Sequence, residues 1–219
     1  MRHLFALAAT AALLSPPVLA QSGHEHHHNH GEHATPMPAS GDHSRHGHDI
    51  GPAGSTYDLR WIDAMVQHHT GALRMSEFVF NVGSPGVGAL ANRIWNDQAQ
   101  EIKAMGQWRK AWYPQAPTYP VTLPPGGDPN SLSALQRMSA AEITAMQMTG
   151  TAPSPDTRVT WFLEGMIEHH GGALEMAHDA LRKSSNPTIR RLAQAIIVSQ
   201  RREIIELRRM LRLDGIQKS

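Results

Sequence analysis

The sequence predicts an all-α protein: an antiparallel four-helix bundle built from one helical hairpin used twice, behind a disordered N-terminal region. The first observation behind this is an internal repeat. Trp61, Met65, His68, His69, Ala72, Leu73 and Met75 reappear as Phe162, Met166, His169, His170, Ala173, Leu174 and Met176, a constant shift of 101 residues. Gln98, Glu101, Ile102 and Met105 are echoed by Gln200, Glu203, Ile204 and Leu207 at a shift of 102, one residue having been gained in the intervening turn. The second is helix punctuation by Ser, Asp, Asn and Pro at the expected starts. The third is an apolar stripe of helical period in each segment.

At the N-terminus, residues 1–20 read as a secretory signal peptide. Arg2 gives the positive start, Leu4 to Leu14 the apolar run, and Val18 and Ala20 the small residues before cleavage. That run is too short for a retained membrane helix. The mature chain is expected to be exported and soluble, in the periplasm or secreted. Residues 21–54 follow as a tail with nine histidines: His24, His26, His27, His28, His30, His33, His43, His46 and His48. Set among Gly, Ser, Pro and acids, they bury too little to offset backbone ordering, so disorder is expected. Dense neutral imidazoles also suit capture of copper, nickel or zinc ions.

Residues 55–219 are expected to form one domain. Ser55 to Asp58 reads as a capping box opening a helix to about Val82, and Ser84-Pro85 opens a second to about Trp112, completing a hairpin over 55–113. Residues 114–155 form the crossover: a Pro-rich loop, then short helices announced by the Ser139 to Glu142 capping box. Asp156 caps a third helix to about Ser184, and Asn186-Pro187 opens a fourth to about Leu213, completing the second hairpin over 156–219.

At about 100° per residue, His68 and His69 fall on or beside the stripe of Trp61, Met65, Ala72 and Met75, with Asp63, Gln67 and Arg74 near the opposite side. The second copy places His169 and His170 with Phe162, Met166, Ala173 and Met176, while Glu164, Glu168 and Glu175 point outward. Gln98 and Glu101 intrude into the apolar row of the second helix, as Gln200 and Glu203 do in the fourth. Inward imidazole pairs are costly without partners, so the centre is either a metal site or a buried hydrogen-bond network. The candidate ligands are His68, His69, His169 and His170, with Met65, Met75, Met166 and Met176 beside them. Glu101 and Glu203 are either ligands or acceptors that orient the histidines.

These residues resemble the domain of unknown function 305 family, whose pattern is Asp, aromatic, Met, His-His, Ala and Met on one helix and Gln, Glu-Ile, Met and Trp on the next. Here they are Asp58, Trp61, Met65, His68, His69, Ala72 and Met75, then Gln98, Glu101, Ile102, Met105 and Trp108. The resemblance spans about residues 55–213 and includes Met138 to Glu142. It implies a ferritin-like helical bundle and exported proteins associated with copper binding and tolerance, and adds Asp58 as a candidate ligand. The second copy departs from the pattern: Val159 stands where Asp58 would, and Leu207 and Met210 replace Met and Trp.

The whole chain has 219 residues, no cysteine, 15 histidines, 11 methionines and a net charge of +1. Absence of cysteine excludes disulfides, thiolate sites and Cys nucleophiles. Near-neutrality argues against nucleic acid or an anionic membrane as partner. No catalytic constellation is identifiable. Thioether with imidazole suits Cu(I), and imidazole with carboxylate suits Cu(II). The leading expectation is an exported protein that sequesters or carries copper, with another periplasmic copper protein as candidate partner. The alternatives are a ferritin-like di-metal oxidoreductase using iron, and a nickel or zinc buffer acting through the tail. Within the expected helices, only Glu175 and His178 match the Glu-x-x-His spacing of di-iron bundles.

Overall fold

The computed structural model describes residues 48–83, 86–116 and 118–218. The expected signal peptide and the tail up to residue 47 lie outside the described residues, as do Ser84 and Pro85. In order come α1 (Tyr57–Glu77), α2 (Val87–Trp112), β1 (Val121–Thr122), a 3-10 turn (Leu132–Ala134), β2 (Gln136–Arg137), α3 (Ala140–Gln147), α4 (Arg158–Lys183) and α5 (Pro187–Lys218). The protein is thus mostly helical, with β1 and β2 pairing antiparallel across the crossover. No described helix is long and apolar enough to cross a membrane.

The long helices pair as α1 with α2 and α4 with α5, and the two pairs meet along α1 and α4. Contacts run in opposite order along each pair. Asp63, His69 and Glu77 of α1 meet Arg109, Glu101 and Trp95 of α2. Thr160, His170 and His178 of α4 meet Asp214, Glu203 and Arg201 of α5. At the α1–α4 seam, the Trp61 indole N–H donates to the Met176 carbonyl at 2.9 Å and the Tyr57 hydroxyl donates to Asp179 at 2.8 Å.

The buried apolar side chains divide into two main clusters. One holds Trp61, Met65, Met105, Met176 and Ile196; the other holds Met75, Ile94, Phe162, Met166 and Leu207. Each long helix contributes to both, and where it passes from one to the other it carries polar residues: His68 and His69, Gln98 and Glu101, His169 and His170, Gln200 and Glu203. A polar layer is therefore sandwiched between two apolar ones.

Helix ends differ from expectation in instructive ways. The Ser55–Asp58 capping box does not form: Ser55 and Thr56 donate to the Asn130 and Pro129 carbonyls, tying the start of α1 to the crossover instead. Helix α1 stops at Glu77 rather than near Val82, because the chain tightens into i to i+3 turns that end at the Val79 and Val82 amides. Asp156 is not a cap, and α4 begins after Thr157. The Ser139/Glu142 capping box forms as expected, and Asn186 accepts from the Thr188 amide at the start of α5. Helix α5 continues past Leu213 to Lys218.

The face of α1 opposite its histidines is also buried, because the crossover covers it. Asp63 is fully buried, accepting from Arg109 at 2.6 Å and from the Val121 amide at 2.9 Å. Burial raises its carboxyl pKa, opposed by the bonds from Arg109 and Val121. Gln67 donates to the Tyr119 hydroxyl and accepts from Gln147. Residues 48–54, assigned to the disordered tail on composition, lie against the helices: Ile50 is buried, and the Arg60 guanidinium donates to the Ile50 and Pro52 carbonyls.

Candidate metal centre

The four histidines predicted at the centre meet there. His68, His69, His169 and His170 are each fully buried. The His68 and His169 rings, at matching positions of the sequence repeat, meet across the α1–α4 seam with centroids 3.8 Å apart and planes inclined by 48°. Their neighbours His69 and His170 turn toward the second helix of each hairpin, 6.4 Å and 6.3 Å away.

Hydrogen bonds assign a role to the two glutamates. The Nε2 atoms of His69 and His170 each lie 2.6 Å from a carboxylate oxygen, of Glu101 and Glu203 respectively. With Nε2–H donated to the carboxylate, each ring presents the Nδ1 lone pair, and neither Nδ1 has a protein partner. His169 donates Nε2–H to the His68 carbonyl at 2.9 Å and likewise leaves Nδ1 without a partner. At His68 both ring nitrogens lack one. The amides of Gln98 and Gln200, a turn before the glutamates, add further buried atoms without partners. Sequence reading put both Gln on the buried face without including them among the ligands.

Burial, then the surrounding imidazoles, hold the His68 and His169 pKa values well below the ordinary 6.5. Both rings are therefore neutral, the form that binds metal. Buried polar atoms without partners cost roughly 1–3 kcal/mol each, and here several gather in one layer. Among the described residues, no three His, Asp or Glu side chains already surround a common point at metal-bonding distance. The layer is a set of available donors rather than a closed cage.

The methionines lie immediately on either side. Met65 and Met176 belong to one flanking apolar cluster, Met75 and Met166 to the other, all fully or almost fully buried. Asp58 is not brought to the centre: it sits ten residues before His68 on α1, about 15 Å along the helix. There its charge adds to burial in raising the Tyr113 pKa. Glu175 is exposed and His178 faces Arg201, so the lone Glu-x-x-His pair also lies outside the layer.

One histidine of the tail does reach the centre. The His48 ring packs edge to face on His68 with centroids 5.4 Å apart, and its Nε2 lies 3.0 Å from the Met148 sulfur. On the α2–α5 side, a groove of about 430 Å³ lined by Asp97, Gln100, Glu101 and Ser199 leads to the layer. Partial burial and the carboxylates of Glu203 and Glu101 raise the Asp97 pKa there.

A mostly helical protein with a mirrored histidine–carboxylate layer is the class that fold and site define. Residues 58–211 match the profile of the domain of unknown function DUF305, and the chain belongs to that family. Among solved structures it is similar to CopM in its Cu(II)-bound form, at 25% identity and a TM-score of 0.52, covering 74% of this chain and 98% of that one. CopM in its Cu(I)-bound form matches at 25% identity and a TM-score of 0.50, covering 69% and 93%. A DUF305 fragment from Deinococcus radiodurans matches at 26% identity and a TM-score of 0.51, covering 74% and 98%. No curated protein matches the chain.

Proposed function

We propose that this protein is an exported copper-binding protein that sequesters or carries the ion in its central layer, and that its long helices form an antiparallel four-helix bundle of the ferritin-like kind. The observation that carries the reading is the set of fully buried imidazoles with ring nitrogens lacking partners, two of them oriented by carboxylates through the other nitrogen. Similarity to a copper-bound protein supports the same metal. In this reading His68, His69, His169 and His170 supply nitrogen donors, Glu101 and Glu203 orient two of them, and Met65, Met75, Met166 and Met176 in the flanking apolar clusters provide soft sulfur. The acidic groove at Asp97 draws cations toward the layer, and the histidine-rich tail raises their local concentration.

Copper titration in competition with a chromogenic chelator tests this. The wild-type chain should hold a site tighter than those of the tail, and that site should vanish in the His68→Ala/His69→Ala/His169→Ala/His170→Ala variant. If the variant titrates like the wild type, the central site does not exist.

A further inference from the structure

We propose that His48, Met148 and His68 form a second ligand set, for a soft monovalent cation of the copper(I) class, at the edge of the central layer. It rests on the copper reading of that layer only through the shared His68, whose neutral ring has one lone pair and so serves one set at a time.

His48 ends a stretch rich in His and Gly, yet it is only 8% exposed. What admits it is Gly172 on α4, where a Cβ would overlap the His48 ring. The repeat places Gly71 at the matching position of α1, and there the missing Cβ makes room for the Gln147 carbonyl, the residue before Met148. The duplicated glycines therefore open two notches. One admits the end of the tail and the other the end of α3, and through them His48 and Met148 meet.

Met148 itself is held at φ 50°, a left-handed conformation that a non-glycine residue rarely adopts. Its sulfur faces His48 Nε2 at 3.0 Å, although a thioether is a weak hydrogen-bond acceptor. The other ring nitrogen of His48, Nδ1, lies 3.8 Å from the Glu175 carboxylate. Beneath His48 is His68, completely buried, with no protein partner on either ring nitrogen. Two imidazoles bound to one ion have centroids no more than roughly 6 Å apart, given metal–nitrogen bonds of ~2 Å, and these rings are 5.4 Å apart. Two imidazoles and a thioether, with no carboxylate in contact, favour a soft cation over a hard one.

The test uses the full chain labelled with [13C-methyl]methionine and silver(I) as a redox-silent probe. Silver should shift the Met148 methyl resonance, assigned by its loss in Met148→Leu. Gly172→Ala retains every donor and inserts a better helix former, but displaces the His48 ring. It and His48→Ala should each weaken the silver affinity read at Met148 at least tenfold. A Met148 methyl that stays unmoved at saturating silver, or that responds in both variants with wild-type affinity, overturns the proposal. A His69→Ala/His170→Ala variant separates the two sites. If it loses copper while Met148 is silent in the wild type, the central layer stands and the second set falls. If it keeps its copper while Met148 still responds, the reverse holds.

Discussion

At Glu101 and Glu203, a carboxylate 2.6 Å from imidazole Nε2 makes the opposite nitrogen of each ring a better donor. Glu101→Gln keeps an acceptor in nearly the same volume but removes the charge. Copper affinity should fall about 10–100-fold while the far-ultraviolet circular dichroism is unchanged; wild-type affinity in a chelator competition would contradict the assigned role. The neutral rings of His68 and His169 have a consequence for the metal-free protein. Unfolded, they titrate near 6.5; folded, burial and the facing imidazoles of His48, His69 and His170 hold both well below that value. The unfolded chain therefore binds more protons in that interval. This contribution to stability is complete above about pH 6.5 and is lost as the pH falls through 6.5 toward the folded values, by up to ~1.4 kcal/mol per pH unit per ring. Urea midpoints at pH 7.5 and 5.5 should differ accordingly, and the difference should shrink in a His68→Gln/His169→Gln variant.

The inward faces of the helices were legible because a 3.6-residue period assigns them without any tertiary knowledge. Both histidine pairs, both glutamates and the outward Glu164, Glu168 and Glu175 lie where that period puts them. What it could not show is which helix would be covered on its other side. Asp63 and Gln67 look like solvent-facing residues until β1 and α3 close over them. His48 and Met148 lie outside the repeat, 100 residues apart, and nothing local links them. Asp58 follows the family pattern in sequence, but its position a long way up α1 separates it from the layer. At the element scale the crossover should prove a structural lid. Asp63→Ala leaves Arg109 and the Val121 amide without their acceptor, and equilibrium denaturation should show a loss of about 3–5 kcal/mol. Gly71→Ala drives a Cβ into the Gln147 backbone, which cannot swing aside as a ring can. A cost of about 1–3 kcal/mol should appear as a melting temperature several degrees lower, whereas Gly172→Ala should melt close to wild type.

For the molecule as a whole, a polar layer between two apolar ones means that the folded state alone assembles the donors, since they come from four helices and both halves of the repeat. An ion bound there stabilises the fold by mass action, about 2.7 kcal/mol at a hundredfold excess over Kd. Histidines that bind copper without needing the fold would hold it in folded and unfolded chains alike and contribute nothing to that shift. Copper should therefore raise the melting temperature of the wild type and leave that of the four-histidine variant unmoved, with differential scanning calorimetry as the check.

The seam between α1 and α4 joins rings that began 101 positions apart, across a crossover whose Pro125–Gly126 tip stands in solvent. A protease that nicks the tip would leave two separate polypeptides, each holding half of the imidazoles. Their reassociation would become a bimolecular equilibrium, and if copper binds the central layer as proposed, the ion would draw the two pieces together.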